Sequence, residues 1–340
     1  MGSGLIFDRH ISNSNGPPSK MRPDPISILL GTRGSQLARW QAEWVAEELR
    51  QLGHAVDLVE IATHGDVERV RSIEEIGTRG VFTKEIQRAL LAGEVDLGVH
   101  SLKDLPTEPV EGLVIAAVPT RESAADVLVT GASSEEAPKG YPARNESIPL
   151  LFGGARVGTG SLRRQSQLRH VRPDLRTEDI RGNVDTRLRK LDEGQFDAVV
   201  LAEAGLRRLG LAHRITQVLP FDVMLPAVGQ GALAIECRAA DDETRAAVAP
   251  LEDSATRTAV TAERALLARL RGGCMAPVGA WGRIEQGVLH LSAVVLSADG
   301  TQRLAADDLA PAEDAEALGC RVAEKLLAAG AGELIRSSRG

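Results

Sequence analysis

The amino-acid sequence predicts an α/β fold, and three observations carry the prediction. From Ile26 onward, short apolar runs alternate with segments of helical period, the pattern of βαβ units. A strand, a Gly-Thr turn, a serine and a helix occur in that order in ILLGTRGSQLARWQ and again in ARVGTGSLRRQSQLR, which points to two similar α/β domains. The 340 residues, 43% hydrophobic, include no apolar run long enough to cross a bilayer, so the chain reads as a soluble protein of two or three domains.

Residues 1–25, rich in Gly, Ser, Asn and Pro, read as a disordered leader or an expression remnant outside the fold. ISILL then reads as a strand, GTRGS as a turn, and QLARWQAEWVAEEL as an amphipathic helix with Leu37, Trp40, Trp44 and Val45 on its apolar face. VDLVEIA, DLGVH, LVIAAV, DVLVT, ARVGT, AVVLA and ALAIEC follow as strands, with helices around 83–92, 162–170, 184–192, 204–209 and 258–270. Strands separated by helices argue for parallel pairing. The polar, Gly/Pro/Ser-rich stretch 131–154 reads as a surface insertion between strands. In LPAVGQGALAIEC, Gly229 and Gly231 precede an apolar run, which suits a hinge where the chain re-enters an earlier domain.

A formal net charge of −7 and only nine aromatic side chains argue against an extended nucleic-acid surface, leaving a small anion as the candidate ligand. Cys237, Cys274 and Cys320 stand far apart, without the spacing of a zinc site or a disulfide framework, which places the chain in a reducing compartment such as the cytoplasm. Only six of the 40 basic residues are lysines, so a single arginine says little and position says more. Arg163 and Arg164 fall in the first turn of a helix, where the dipole disfavours cations, so something other than helix stability favours them there. Arg33, Arg181, Arg187 and Arg208 also fall at strand ends or beside helix starts, the region where doubly wound sheets bind ligands. The guanidinium fork matches carboxylates bidentately, so the set suits a ligand with several carboxylates. Ser35 and Ser161 stand at helix N-termini, as caps or as ligand donors.

Asp104 follows the strand DLGVH, after Ser101 and Lys103. It reads equally as a local cap and as an acid/base or counter-ion for positive charge in an arginine-lined crevice. Cys274 follows a helix predicted to stop at Gly272 and Gly273, at the negative end of the dipole, where a thiol is not activated. It reads as an inert thiol or as a covalent tether. On the residues alone, a non-catalytic binding protein for a small dianion meets this pattern as well as an enzyme does.

RGSQLA, VHSLKDLP, GTGSLRR, RGNVDTRL, LAEAGLRRLG, AVGQGALAIECR and GGCMAPVG, in this order over residues 26–279, resemble the porphobilinogen deaminases, also called hydroxymethylbilane synthases. The resemblance implies two similar periplasmic-binding-protein-like α/β domains around a cleft, residues 26–120 with 230–250 and residues 121–229, plus a smaller α/β C-terminal domain, 251–340. It implies a monomeric cytoplasmic transferase that condenses four porphobilinogen molecules, with loss of ammonia, into linear hydroxymethylbilane in tetrapyrrole synthesis. It further implies a dipyrromethane cofactor joined through a thioether to Cys274, with no metal, nucleic-acid or membrane partner. By the same resemblance Asp104 is catalytic. Lys103, Ser101, Ser161, Arg163, Arg164, Arg187 and Arg208 hold the cofactor, and Arg33, Ser35, Arg181 and Arg79 the substrate. Two positions depart from the family pattern. Gly160 stands where many relatives have serine, and Glu75, in the loop that also carries Arg79, stands where some have lysine.

Overall fold

The computed structural model describes residues 24–61, 83–131, 148, 151–273 and 276–338. In chain order the first half holds β1 (Ser27–Thr32), α1 (Gln36–Gln51), β2 (Ala55–Glu60), α2 (Lys84–Leu91), β3 (Leu97–Ser101), β4 (Leu113–Ala117) and β5 (Asp126–Thr130). There follow β6 (Arg156–Gly158), α3 (Leu162–Val171), β7 (Arg176–Glu178), α4 (Val184–Asp192), β8 (Ala198–Ala202), α5 (Glu203–Arg208), β9 (Gln217–Val218) and β10 (Leu233–Arg238). The last third holds α6 (Asp242–Val248), α7 (Ser254–Leu270), β11 (Val278–Glu285), β12 (Val288–Leu296), β13 (Arg303–Ala310), α8 (Ala315–Ala328) and α9 (Ala331–Ser337).

The strands form three sheets, ordered β2-β1-β3-β10-β4, β7-β6-β8-β5-β9 and β11-β12-β13. In the first, β1 runs parallel to β2 and β3, and β10 is antiparallel to β3 and β4. In the second, β6 runs parallel to β7 and β8, and β5 is antiparallel to β8 and β9. The two sheets therefore share one strand order, and the repeated sequence pattern starts the same strand and helix in each. Both are mixed, which corrects the expectation of parallel pairing. β5 leaves the first sheet for the second and β10 returns, and each crossing strand lies antiparallel to its neighbours in the sheet it enters. At the crossings Gly231 takes a positive φ, and a Cβ there would lie 2.3 Å from the Glu122 carbonyl oxygen, so only glycine lets the two connections touch.

The face of α1 turned to the sheet differs from the periodicity reading. Gln41, Ala42, Val45, Ala46 and Leu49 are buried, whereas Trp40 is exposed. The two alanines let the helix lie close on Ile28, Leu30, Leu97 and Val99, so the bulky indole is pushed to the flank. The 131–154 stretch is also not purely superficial. Ile148 and Leu151 belong to the second core, and the fully buried Arg172 donates to their carbonyls at 2.9 and 3.0 Å.

α7 begins at Ser254, earlier than expected, because Asp253 caps it by accepting from the Thr256 amide at 2.7 Å. Its end also differs. Arg271, not a glycine, takes the left-handed position that closes the last turn, with φ of 51°. The inner faces of β11 and β12 pack with α7 and α8 around Leu266, Leu291, Val322 and Leu326. No described helix is long and apolar enough to cross a membrane.

Candidate active site

A cavity of about 230 Å³ opens between the first two sheets, lined by the carboxyl ends of strands from both. From the first sheet, the turn after β1 brings Arg33 and Ser35, and a short 3-10 turn after β3 (Leu102–Asp104) brings Ser101, Lys103 and Asp104. From the second, α3 brings Arg164, α4 brings Arg187 and α5 brings Arg208. Eight of the thirteen residues expected at the site thus meet in one place. Asp104 is exposed, with its carboxylate open to the cleft.

Most of these side chains are held by short local bonds. Ser101 Oγ accepts from Gln41 Nε2 at 2.9 Å. Lys103 Nζ donates to Gln230 Oε1 at 3.4 Å. Arg187 Nε donates to the Gly182 carbonyl at 2.8 Å, and Arg208 Nη2 to the Gly231 carbonyl at 2.7 Å. Burial pushes the Lys103 ammonium down to about 8, with Arg164 adding repulsion, although Asp104 and Asp126 pull the other way. Burial also lowers Arg187 to about 10, helped by Arg164, and lowers Arg208 to about 10 against the pull of Glu122. Both arginines remain charged at neutral pH.

The arginine pair has a partner within the protein that the sequence reading did not include. Arg163 and Arg164 are 4% and 6% exposed and converge on Asp126, itself wholly buried. Arg163 Nη1 donates to Asp126 Oδ2 at 2.7 Å and to the Leu225 carbonyl at 2.6 Å. Arg164 reaches Asp126 Oδ1 through Nε at 2.9 Å and Nη2 at 2.7 Å, and the Val200 carbonyl through Nη1 at 2.9 Å. What the pair faces first is therefore a protein carboxylate. Burial alone would keep Asp126 protonated, but the two guanidiniums hold its carboxyl well below the usual carboxylate range. Only Arg164 lines the cavity; Arg163 does not.

Two further expected residues stand off the lining. Arg181, half-exposed, pairs with Asp179 at 2.6 Å. Ser161 makes no side-chain bond to the helix it precedes. Cys274, Arg79 and Glu75 lie outside the described residues. Gly160, where a serine had been expected from relatives, sits so close to Asp179 Oδ1 and the Ile180 carbonyl that a Cβ would approach them to 2.8 and 3.0 Å. Conversely, sequence reasoning missed Gln41, Asn183 and Asp185 in the lining and Asp126 and Gln230 behind it. A buried glutamine at the centre of an otherwise apolar helix face was the one signal available for Gln41.

Two family models cover most of the chain. "Porphobilinogen deaminase, dipyromethane cofactor binding domain" matches residues 28–246, and "Porphobilinogen deaminase, C-terminal domain" matches residues 257–328. The chain belongs to the porphobilinogen deaminase family. Curated porphobilinogen deaminases agree over most of their length and of this chain. That of Pelotomaculum thermopropionicum is 49% identical over 92% of this chain and 97% of its own length, and that of Desulforudis audaxviator 50% over 92% and 98%. Among solved structures, the methionine binding protein MetQ superposes with a TM-score of 0.39 at 14% identity, over 65% of this chain and 88% of that protein. The aliphatic sulphonate binding protein SsuA from Escherichia coli does so with a TM-score of 0.35 at 16% identity, over 74% and 72%. Membership of this family makes the chain a transferase of tetrapyrrole synthesis that works with a dipyrromethane cofactor.

The cavity's donors suit that cofactor. Arg33, Lys103, Arg164, Arg187 and Arg208 face it against two carboxylates, Asp104 and Asp185, a surplus of cations that a group bearing several carboxylates would neutralise.

Proposed function

We propose that this cleft performs the condensation of four porphobilinogen molecules into hydroxymethylbilane, with Asp104 as its catalytic carboxylate. The observation that carries the reading is the placement of Asp104 at the mouth of a cavity otherwise dominated by cations. Carboxylates of substrate and product are drawn to the arginines, and the one negative group at the end of β3 is left to face the positive charge that develops when ammonia departs. The same carboxylate then accepts the proton released from the reacting pyrrole carbon.

Arg164, Arg187, Arg208, Lys103 and Ser101 would hold the dipyrromethane. When bound, that group supplies the pyrrole carbon on which the chain is extended. Arg33 and Ser35, in the turn after β1, take the acetate and propionate of incoming porphobilinogen. Arg163 supports Arg164 from behind, and Ser161, Arg181 and Arg79 are assigned to cofactor or substrate through the family motifs. Cys274, which follows α7 in the sequence, is the attachment point. Three domains, 26–120 with 230–250, 121–229 and 251–340, and a cytoplasmic monomer complete the reading.

Intact and peptide mass spectrometry tests it directly. The purified chain should carry the mass of two pyrrole units on Cys274, gain further units with porphobilinogen, and release hydroxymethylbilane. A chain that turns over porphobilinogen at full rate with an unmodified Cys274 overturns the proposal.

A further inference from the structure

Asp126 opens β5 where the chain first enters the second sheet, and Gln230 lies in the return connection, so both connections between the sheets meet behind the cavity. Both oxygens of the Asp126 carboxylate are engaged. Oδ2 takes Arg163, and Oδ1 takes Arg164 and, at 3.0 Å, Gln230 Nε2. The plane of the carboxylate is thereby fixed, and with it the plane of the Arg164 guanidinium that lines the cavity.

The orientation of Gln230 follows from the same charge. An ionised carboxylate only accepts hydrogen bonds, so Gln230 must turn its NH₂ towards Asp126, where it also donates to the Ala124 carbonyl at 2.8 Å. Its oxygen is then presented to Lys103 Nζ on the other side. One buried carboxylate thus sets the direction of a guanidinium from the second sheet and the acceptor of an ammonium from the first.

Stability alone does not account for the cluster. Three buried charges cost more to desolvate than a well-packed apolar trio of the same volume, and the N-terminal turn of α3 is an unfavourable place for two cations.

We propose that Asp126 is the positioning residue of the site, orienting Arg164 directly and Lys103 through Gln230 so that both meet the carboxylates of the bound pyrroles. The assignment of those carboxylates rests on the function proposed above; the geometry of the cluster does not.

Asp126→Asn leaves two buried guanidiniums without a counter-charge and is expected to unfold in part, so the test is made where only one of them, Arg164, is left without it. Arg163→Met is compared with Arg163→Met/Asp126→Asn, in which one cation and one anion have both gone. With both chains folded by circular dichroism, porphobilinogen-dependent uptake of pyrrole mass on Cys274 should be about tenfold slower or more in the double variant than in Arg163→Met. A second readout needs no pyrrole. The pH dependence of Lys103 acylation, followed by peptide mass, should move to lower pH in the double variant, because the carboxylate facing Lys103 through Gln230 is removed while Arg164 and Asp104 remain.

Equal uptake together with equal Lys103 titration in the two chains overturns the proposal. If the wild-type chain takes up no pyrrole mass, the proposed function falls, and the lysine titration alone decides the role of Asp126.

Discussion

At the N-terminus of α1, Ser35 accepts from the Ala38 amide at 3.3 Å, and Arg33 and Ser35 look into the cavity. At the N-terminus of α3, which follows the equivalent strand of the other sheet, Ser161 makes no such bond and both neighbouring arginines turn inward to Asp126. The two places share a backbone plan, so the difference lies in what stands beneath the helix. Asp126 pairs with Ala202 at the end of β8; its counterpart on β10 is Leu233, which pairs with Ser101 at the end of β3. An acidic residue at one crossing strand and an apolar one at the other give one wall a buried cation cluster paired to Asp126, whereas the other presents Arg33 and Ser35 to the cavity. Repetition of a fold therefore does not repeat its electrostatics; a single buried position decides them.

The largest test removes the carboxylate carried by the 3-10 turn after β3. Asp104→Asn should lower turnover by about 10²–10³-fold while the pyrrole adduct on Cys274 remains detectable by intact mass; wild-type turnover would remove Asp104 from the chemistry. Next, Arg163→Leu and Arg33→Leu should separate the walls. Losing Arg163 leaves Asp126 buried with a single partner and should cost about 3 kcal/mol in denaturant melts. Losing Arg33 should cost about 0.5 kcal/mol or less but raise KM for porphobilinogen.

A pH series probes Lys103, which lies between the walls. Its ammonium titrates at about 8 in the folded chain and 10.5 when unfolded, so the folded state loses the proton first. Above about pH 8 the neutral amine no longer attracts carboxylates, and the affinity of the site for the carboxylates of the dipyrromethane should fall. Between about 8 and 10.5 the unfolded chain binds more protons, so the contribution of this lysine to stability rises with pH. Lys103→Met should abolish the affinity change.

The smallest effect is the sharpest comparison. Ser35→Ala removes a cap and should cost about 1 kcal/mol, whereas Ser161→Ala removes none and should cost a few tenths at most. Equal losses in thermal melts would mean that the two helix starts are capped alike.

Much of the fold was legible because its signals are local. Short apolar runs located eight strands within a residue or two, and the repeat around Ser35 and Ser161 announced the paired architecture. The site was legible as a set of motifs, and eight expected residues do line one cavity. The short strands β7 and β9, three and two residues long, carried too little apolar contrast to be read. Strand direction was also misread, since whether a strand returns antiparallel depends on which sheet it joins, and β10 joins one begun some two hundred residues earlier.

By itself the sequence determined the α/β class, the positions of the βα turns, the concentration of arginines at helix starts and, through ordered motifs, the family. Those properties follow from neighbours along the chain, where periodicity, turn residues and spacing act. Tertiary structure alone decided that Arg163 and Arg164 close on Asp126, that Gln230 carries its influence to Lys103, and that Arg164 but not Arg163 reaches the cavity. The physical reason is that burial and charge pairing are set by residues brought together from different strands. In a low-dielectric interior a single distant carboxylate outweighs any local preference of the helix that carries the arginines.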